Sequence, residues 1–527
     1  MSEKEYTVVV HKGIDLSEIE AEITASSGAG PIPNRSVDIA NPRPGSKRQT
    51  HFMLTDEEAT ALEADTRVLA VEIPPDQRTD IQIGFNSTQL GNFTKPITFT
   101  DNTLVNWGLR RSIMETNGYG SGGTSDNTFP YALTGKGVDI VIQDSGIEPN
   151  HPDFIDSNGV SRVKAIDWYA AQSVVSGTQN ANYNRDFDGH GTLCASITAG
   201  NVYGFAKDAH IYSMKISGLE GSGDAGTGTP ISDCFDVIKE WHNAKTNSRP
   251  TVVNMSWGYS TSQAGNPTGG IYRGSSWIWG TDYSTDLEVW QNVGVVVPLG
   301  SGARGIPIRV SSVDADVDEL IAAGVHVAIA SGNDYYKGDV DGGDDYDNLL
   351  NINGLSIQYH RGSSPHSDNA FIVGNIDKFV YNDNGIYKDR TAGSSSRGPR
   401  VNMWAPGQNI VGAVSTTNVY TSLDSPVDAN FKIVSLSGTS FAAPQVAGVT
   451  ALHLQVNPQS TPLQLKTKLL AEAKPVMYDT ASNTDYTQFN TSLLGASTKV
   501  LFDKYGRQPV EISGQNLTLQ RATPATT

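Results

Sequence analysis

The sequence predicts an α/β chain in which a parallel sheet carries helices on both faces, preceded by a small α+β module. From residue 137 onward, short apolar runs alternate with stretches of helical period, which is how strands buried on both faces and joined by crossover helices read. The first hundred residues instead read strand, helix, helix, strand, a unit of its own. At 527 residues the chain exceeds one average domain, and its 53 glycines supply many tight connections.

In the module, the β-branched run at 6–10 predicts a strand, and apolar residues at helical spacing over 16–23 predict a helix. A polar insert with several prolines fills 28–50. Thr55-Asp-Glu-Glu58 then opens a second helix, with Thr55 as N-cap and Glu58 at the capping-box position. Residues 68–73 predict another strand, and 74 to about 105 an extended linker, so module and linker take 1–98 and the main domain 99–508. In that domain strands are expected at 138–143, 211–216, 251–255, 325–330 and 371–373, and helices at 190–199, 232–241, 316–323 and 441–454. Residues 509–527 are polar and Thr-rich and read as a tail.

Charge narrows the function. With 38 basic against 56 acidic residues, the net charge of −18 argues against nucleic acid as a partner, because phosphate binding needs clustered Lys and Arg. No window approaches the length of apolar sequence that a membrane helix needs, so no membrane partner is expected. The start, Met1-Ser-Glu-Lys-Glu-Tyr6, has no basic segment followed by an apolar one, so a Sec signal is not expected. The expectation is synthesis in the cytoplasm, with the final location open between a virion and non-Sec export. Cys194 and Cys234 are too few for a disulfide framework and are expected as free thiols.

Four segments carry candidate chemistry. Val138-Asp-Ile-Val-Ile-Gln-Asp144 is an apolar strand ending in a carboxylate, which is costly to bury without a partner. Asp188-Gly-His190-Gly-Thr192 opens a helix with an imidazole, the usual general base near neutrality. Val325-His-Val-Ala-Ile-Ala-Ser-Gly-Asn333 ends a strand in a side-chain amide. Gly438-Thr-Ser440-Phe-Ala-Ala-Pro444 places a hydroxyl at a helix N-terminus, where developing negative charge is favoured. Singly, each reads as a cap or turn residue. Together they supply a nucleophile, a base, a carboxylate to orient the base and an amide donor for an oxyanion. The order Asp, His, Ser is the subtilisin one, and the Ser, Asp, His order of an α/β-hydrolase does not fit.

Asp144-Ser-Gly, His190-Gly-Thr and Gly438-Thr-Ser440-Phe-Ala-Ala-Pro together resemble the three signatures of the subtilisin-like serine peptidases, and the likeness runs from about 107 to 506. It implies a subtilisin-like sheet and a serine endopeptidase working through an acyl-enzyme. Asp144, His190 and Ser440 would be the triad and Asn333 the oxyanion donor. Gly221, Ser222 and Gly223 are similar to the family's substrate-pairing edge strand, Ser256, Trp257 and Gly258 to the opposite wall, and Ala330, Ser331 and Gly332 to the lining of the first specificity pocket. Extended peptide would add between the two walls as a strand. The first module resembles the family's inhibitory propeptide, which implies a self-processing zymogen with its own N-terminal module as inhibitor, cut between Glu72 and Leu104.

The partner is then a polypeptide substrate, and no cofactor is needed for the chemistry. Incorporation into a larger assembly such as a virion stays open, as does a non-catalytic scaffold role. An aromatic, Gly-rich insert at about 259–312 reads equally as a lid or interaction surface and as a self-packed decoration. Asp339, Asp341 and Asp344, spaced around Gly342 and Gly343, are the expected ligands of a structural calcium ion. Cys194, four residues beyond His190, reads as a buried structural thiol.

Overall fold

The computed structural model describes residues 3–25, 35–84, 106–117, 129–221, 223–299, 302–481 and 485–506, and three short strands between 510 and 522. Every residue of Asp139–Asp144 is buried, because this strand lies inside the main sheet. The order of that sheet is His210–Lys215, Asp139–Asp144, Thr251–Met255, His326–Ala330, Phe371–Asp383, Met403–Pro406, Lys499–Val500. All of these neighbours pair in parallel, and Lys474–Pro475 adds an antiparallel edge.

Pleating sends successive side chains to opposite faces. Ile140 and Ile142 enter one apolar core with Val252, Ala328 and Val373, while Val141 enters another with Val253, Val327 and Ile372. The helices His190–Ala199 and Thr439–Val456 close the first core and are buried along almost their whole length. Ile231–Ala244 and Ser311–Ala322 close the second through Phe235, Ile238, Val317 and Leu320. Both cysteines are free and buried. Among the described residues no helix is long and apolar enough to cross a membrane.

The module is an antiparallel sheet in the order Ile39–Asn41, Gln49–Leu54, Lys4–Val10, Val68–Glu72. Helices Leu16–Ile23 and Asp56–Glu63 cover one face through Leu16, Ile19, Ile23 and Leu62. Thr55 and Glu58 form both halves of the capping box. The module sits on the two helices of the second core. Glu72 Oε1 accepts the Ser312 N–H at 2.8 Å, and the Asp76 carboxylate accepts from the N–H groups of Ile231 and Ser232. Those helices follow Pro230 and Val310, neither of which offers a side-chain cap. The module therefore supplies the carboxylates that helix N-termini favour.

Several ends and segments differ from expectation. The helix expected at 316 begins at Ser311, and the strand expected at 371–373 runs on to Asp383 in a hairpin with Ile386–Thr391. Part of the expected linker is a strand: Gln82–Gly84 pairs antiparallel with Gly258–Ala264. The tail also carries strands, Val510–Ile512 with Gln515–Leu517 and Gln520–Ala522 with Phe129–Tyr131. Its polar composition conceals the alternation Val510-Glu-Ile512.

The aromatic insert packs partly on itself and partly on later segments of the catalytic domain. Gly269–Tyr272 pairs with Ser275–Ile278 and with Leu349–Ile352, and Trp277 and Trp290 share a third core with Tyr336, Leu350, Tyr359 and Tyr486.

Candidate active site

Parallel strands deliver their C-terminal ends to one edge of a sheet, where reacting groups collect. Asp144 ends its strand there with its side chain fully buried beside that of His190. The imidazole Nδ1–H donates to Asp144 Oδ1 at 2.9 Å and lies 3.1 Å from Oδ2. The carboxylate is also held by the Ser145 N–H at 2.8 Å. Since a carboxylate only accepts, this pairing puts the proton on Nδ1 and leaves Nε2 basic. The helix can bring His190 this close because residue 191 is glycine. A Cβ there would lie 2.2 Å from the Gly146 carbonyl oxygen and 3.1 Å from Asp144 Oδ1.

Ser440 is buried in the first turn of Thr439–Val456. Its hydroxyl donates to the Ser256 carbonyl at 3.1 Å, and the Ser256 hydroxyl donates to the Ser440 carbonyl at 2.8 Å. The serine helix meets the imidazole through its next residue, with the Phe441 and His190 rings 5.4 Å apart between centroids. Cys194 lies between the two helices, its Sγ 3.7 Å from His190 Nδ1 and 3.5 Å from the Ser440 carbonyl oxygen. Burial, and then the charge of Asp144, push this thiol well above its usual range, so it remains protonated and inert.

Asn333 follows the His326–Ala330 strand. Its Oδ1 accepts the Thr439 N–H at 2.9 Å, which fixes the amide plane beside Ser440. Its Nδ2 is buried without a hydrogen-bond partner. Gly332, at φ +105°, donates its N–H to Thr439 Oγ1 at 3.2 Å. Ala330 and Ser331 are buried beside it, the Ser331 N–H bonded to the Val373 carbonyl at 3.0 Å.

On the walls, Gly221 has φ +77° and would place a Cβ 2.9 Å from the Asp188 nitrogen, whereas Gly223, at φ +101°, is open. Ser222 lies outside the described residues. Trp257 is buried in the second core, and Gly258 pairs with Gly84 of the module. Ile83 reaches across, so that a Cβ on Gly218 would meet Ile83 Cγ2 at 2.7 Å.

The expected calcium ligands do not converge. Asp339 is buried and accepts from the N–H groups of Val340 and Asp345, both at 2.9 Å, with Lys337 Nζ 3.4 Å away. Asp341 and Asp344 are exposed. A carboxylate already satisfied by two amides and an ammonium has little left for a cation. The one group of three convergent ligand atoms among the described residues is Asp144, His190 and Cys194.

Asp186 escaped sequence reasoning. Its Oδ1 accepts from the Ser145 hydroxyl and the Gly189 N–H, each at 2.8 Å. Its Oδ2 accepts from the Thr192 N–H at 2.9 Å and the Thr192 hydroxyl at 2.5 Å. Ser145 Oγ in turn accepts the Gly191 N–H at 2.9 Å. One carboxylate thus ties the residue after Asp144 to the turn that carries His190. Burial pushes it up to about 6 against the pull of these hydrogen bonds. Only its place four residues before His190 hinted at this.

The extracellular serine proteinase of Thermus sp. (strain Rt41A) is 24% identical over 412 residues, covering 78% of this chain and 72% of its own length. The subtilisin-like serine protease of Cochliobolus lunatus is 27% identical over 380 residues, which is 69% of this chain and 54% of that protein. The chain spans little more than half the length of several such fungal relatives. The crystal structure of fervidolysin from Fervidobacterium pennivorans, a keratinolytic enzyme related to subtilisin, superposes with a TM-score of 0.50 at 18% identity over 97% of this chain and 62% of that one, a likeness of fold. The subtilase family model matches residues 135–495, from just before the Asp144 strand to beyond the serine helix, and the chain belongs to the subtilase family.

Proposed function

We propose that the chain is a serine endopeptidase and that Asp144, His190, Ser440 and Asn333 carry its chemistry. The supporting observation is the junction just described: a buried carboxylate–imidazole pair, a hydroxyl in the first turn of the adjoining helix, and a buried amide N–H without a partner beside it. In the reaction Ser440 Oγ exchanges the Ser256 carbonyl for His190 Nε2, loses its proton to it and attacks the substrate carbonyl. Asp144 holds the tautomer and stabilises the imidazolium. Asn333 Nδ2 and the Ser440 N–H take the oxyanion, and His190 then protonates the leaving amine. Water repeats the sequence on the acyl-enzyme. A fluorophosphonate probe tests this. It should label the processed wild type and not Ser440→Ala; equal labelling of both would remove Ser440 from the role.

Self-processing and inhibition by the module belong to the same reading. Gln82–Gly84 lies as a strand on the Gly258 wall with Ile83 turned toward Gly218, the manner in which an extended substrate would bind. The cut then falls beyond Gly84 and before Leu104. Intact mass of wild type beside Ser440→Ala should show a truncation in wild type alone and locate the bond.

A further inference from the structure

The polar insert of the module holds one arginine in a setting that peptide hydrolysis does not use. In Asn41-Pro-Arg43-Pro-Gly45 two prolines stiffen the backbone on either side of Arg43. Arg43 itself stands at φ +43°, a left-handed conformation that a non-glycine residue keeps only where its surroundings impose it. Asn41 Oδ1 accepts its N–H at 3.1 Å. The guanidinium points out of the module: Nε donates to Asp236 at 2.9 Å and Nη2 donates to Asp316 at 3.0 Å. These carboxylates stand on different helices, Ile231–Ala244 and Ser311–Ala322. All three side chains are no more than 4% exposed.

The surrounding contacts serve the same insertion. Gly45 passes so near that a Cβ would lie 2.7 Å from Asp236 Cγ. Gln49 Nε2 donates to Asp316 at 2.6 Å, and Lys239 Nζ bonds both the Gly45 carbonyl and Glu319. Glu319 accepts the Lys47 N–H at 2.8 Å. Without the module, Asp236 would keep Lys239 Nζ at 3.4 Å, while Asp316 would lose its Arg43 and Gln49 donors. Two such acids favour a cation, and the planar guanidinium presents a separate N–H to each.

We propose that Asp236 and Asp316 form an arginine socket on the outer helices of the catalytic unit, that Arg43 is its occupant, and that the socket retains the module after the connecting chain is cut. This rests on the self-processing reading. Cutting turns a tethered contact into an association between two bodies, and from then on retention depends on contacts such as this one.

Three readouts on the full chain separate the steps: intact mass follows cutting, hydrolysis of a peptide substrate follows release, and gel filtration shows whether the module co-elutes. Arg43→Ala should cut at the wild-type rate and free its activity at least tenfold sooner, because two buried carboxylates lose the guanidinium that joins them to the module. Asp316→Asn should do the same, the double variant should go no further than either single, and Arg43→Lys should fall between. Release at the wild-type rate from both Arg43→Ala and Asp316→Asn overturns the socket. A second measurement needs no catalysis. In the Ser440→Ala chain, adding Arg43→Ala should speed amide hydrogen exchange in 231–244 and 311–322 at least tenfold; unchanged exchange overturns the proposal. Faster exchange beside a wild type that never cuts itself would support the socket and reject self-processing.

Discussion

A donor for an oxyanion has to be held by something other than the oxyanion it serves. Asn333 meets that condition through its carbonyl, which takes the Thr439 N–H and leaves Nδ2 buried without a partner. Its cost is borne by the resting protein and recovered only when negative charge develops on the substrate. Asn333→Ala should therefore still fold, and lose roughly two to three orders of magnitude in kcat, a size carried over from subtilisin. Steady-state kinetics on a peptide amide check this, and full activity would remove Asn333 from the site. The four reactive residues were legible because each stands in a short motif with glycines beside it. Asp186 was not, since its partners Ser145, Gly189 and Thr192 converge only when strand and helix meet. Arg43 and Asp236, which are 193 positions apart, were equally out of reach.

At the scale of elements, the approach of strand to helix is set by missing side chains. A Cβ at residue 191 would overlap the Gly146 carbonyl oxygen, and that oxygen belongs to backbone, which cannot rotate away. Gly191→Ala should push the histidine helix off the Asp144 strand and misplace the base. A shift of about 1 Å costs on the order of a hundredfold in rate, so kcat/KM should fall by at least that much. The melting temperature of the Ser440→Ala form should drop as well; an active, stable Gly191→Ala would refute the packing argument. The strands of the parallel sheet were legible because both their faces are apolar. Met403–Pro406 was not, being four residues long with Trp404 and Pro406 and no alternation to mark it. The tail strands and Gln82–Gly84 likewise rest on pairing with distant residues rather than on local pattern.

For the whole molecule, burial of neutral histidines sets the response to acid. Desolvation pushes His326 down to about 4, and His360 and His453 down to about 3. In the unfolded chain all three titrate near 6.5. Between these values the unfolded state binds more protons, so their contribution is whole above pH 6.5 and is lost as pH falls toward 4. Near pH 5 each should add about 1.4 kcal/mol per pH unit to the slope of stability. Unfolding of the Ser440→Ala chain between pH 7 and 4.5 measures it, and His360→Gln with His453→Gln should flatten the slope by about two protons. An unaltered slope would rule these residues out.

The strand order has a further consequence in time. The sheet begins with Asp139–Asp144 and is completed only by Lys499–Val500, so pairing must span most of the polypeptide, and such distant closure is slow. The four strands of the module all lie within the first 72 residues, whose local closure is fast. During synthesis the module's strands can therefore pair long before the ribosome has delivered the last strand, and where they do, the two helices that dock on it emerge beside a surface already formed.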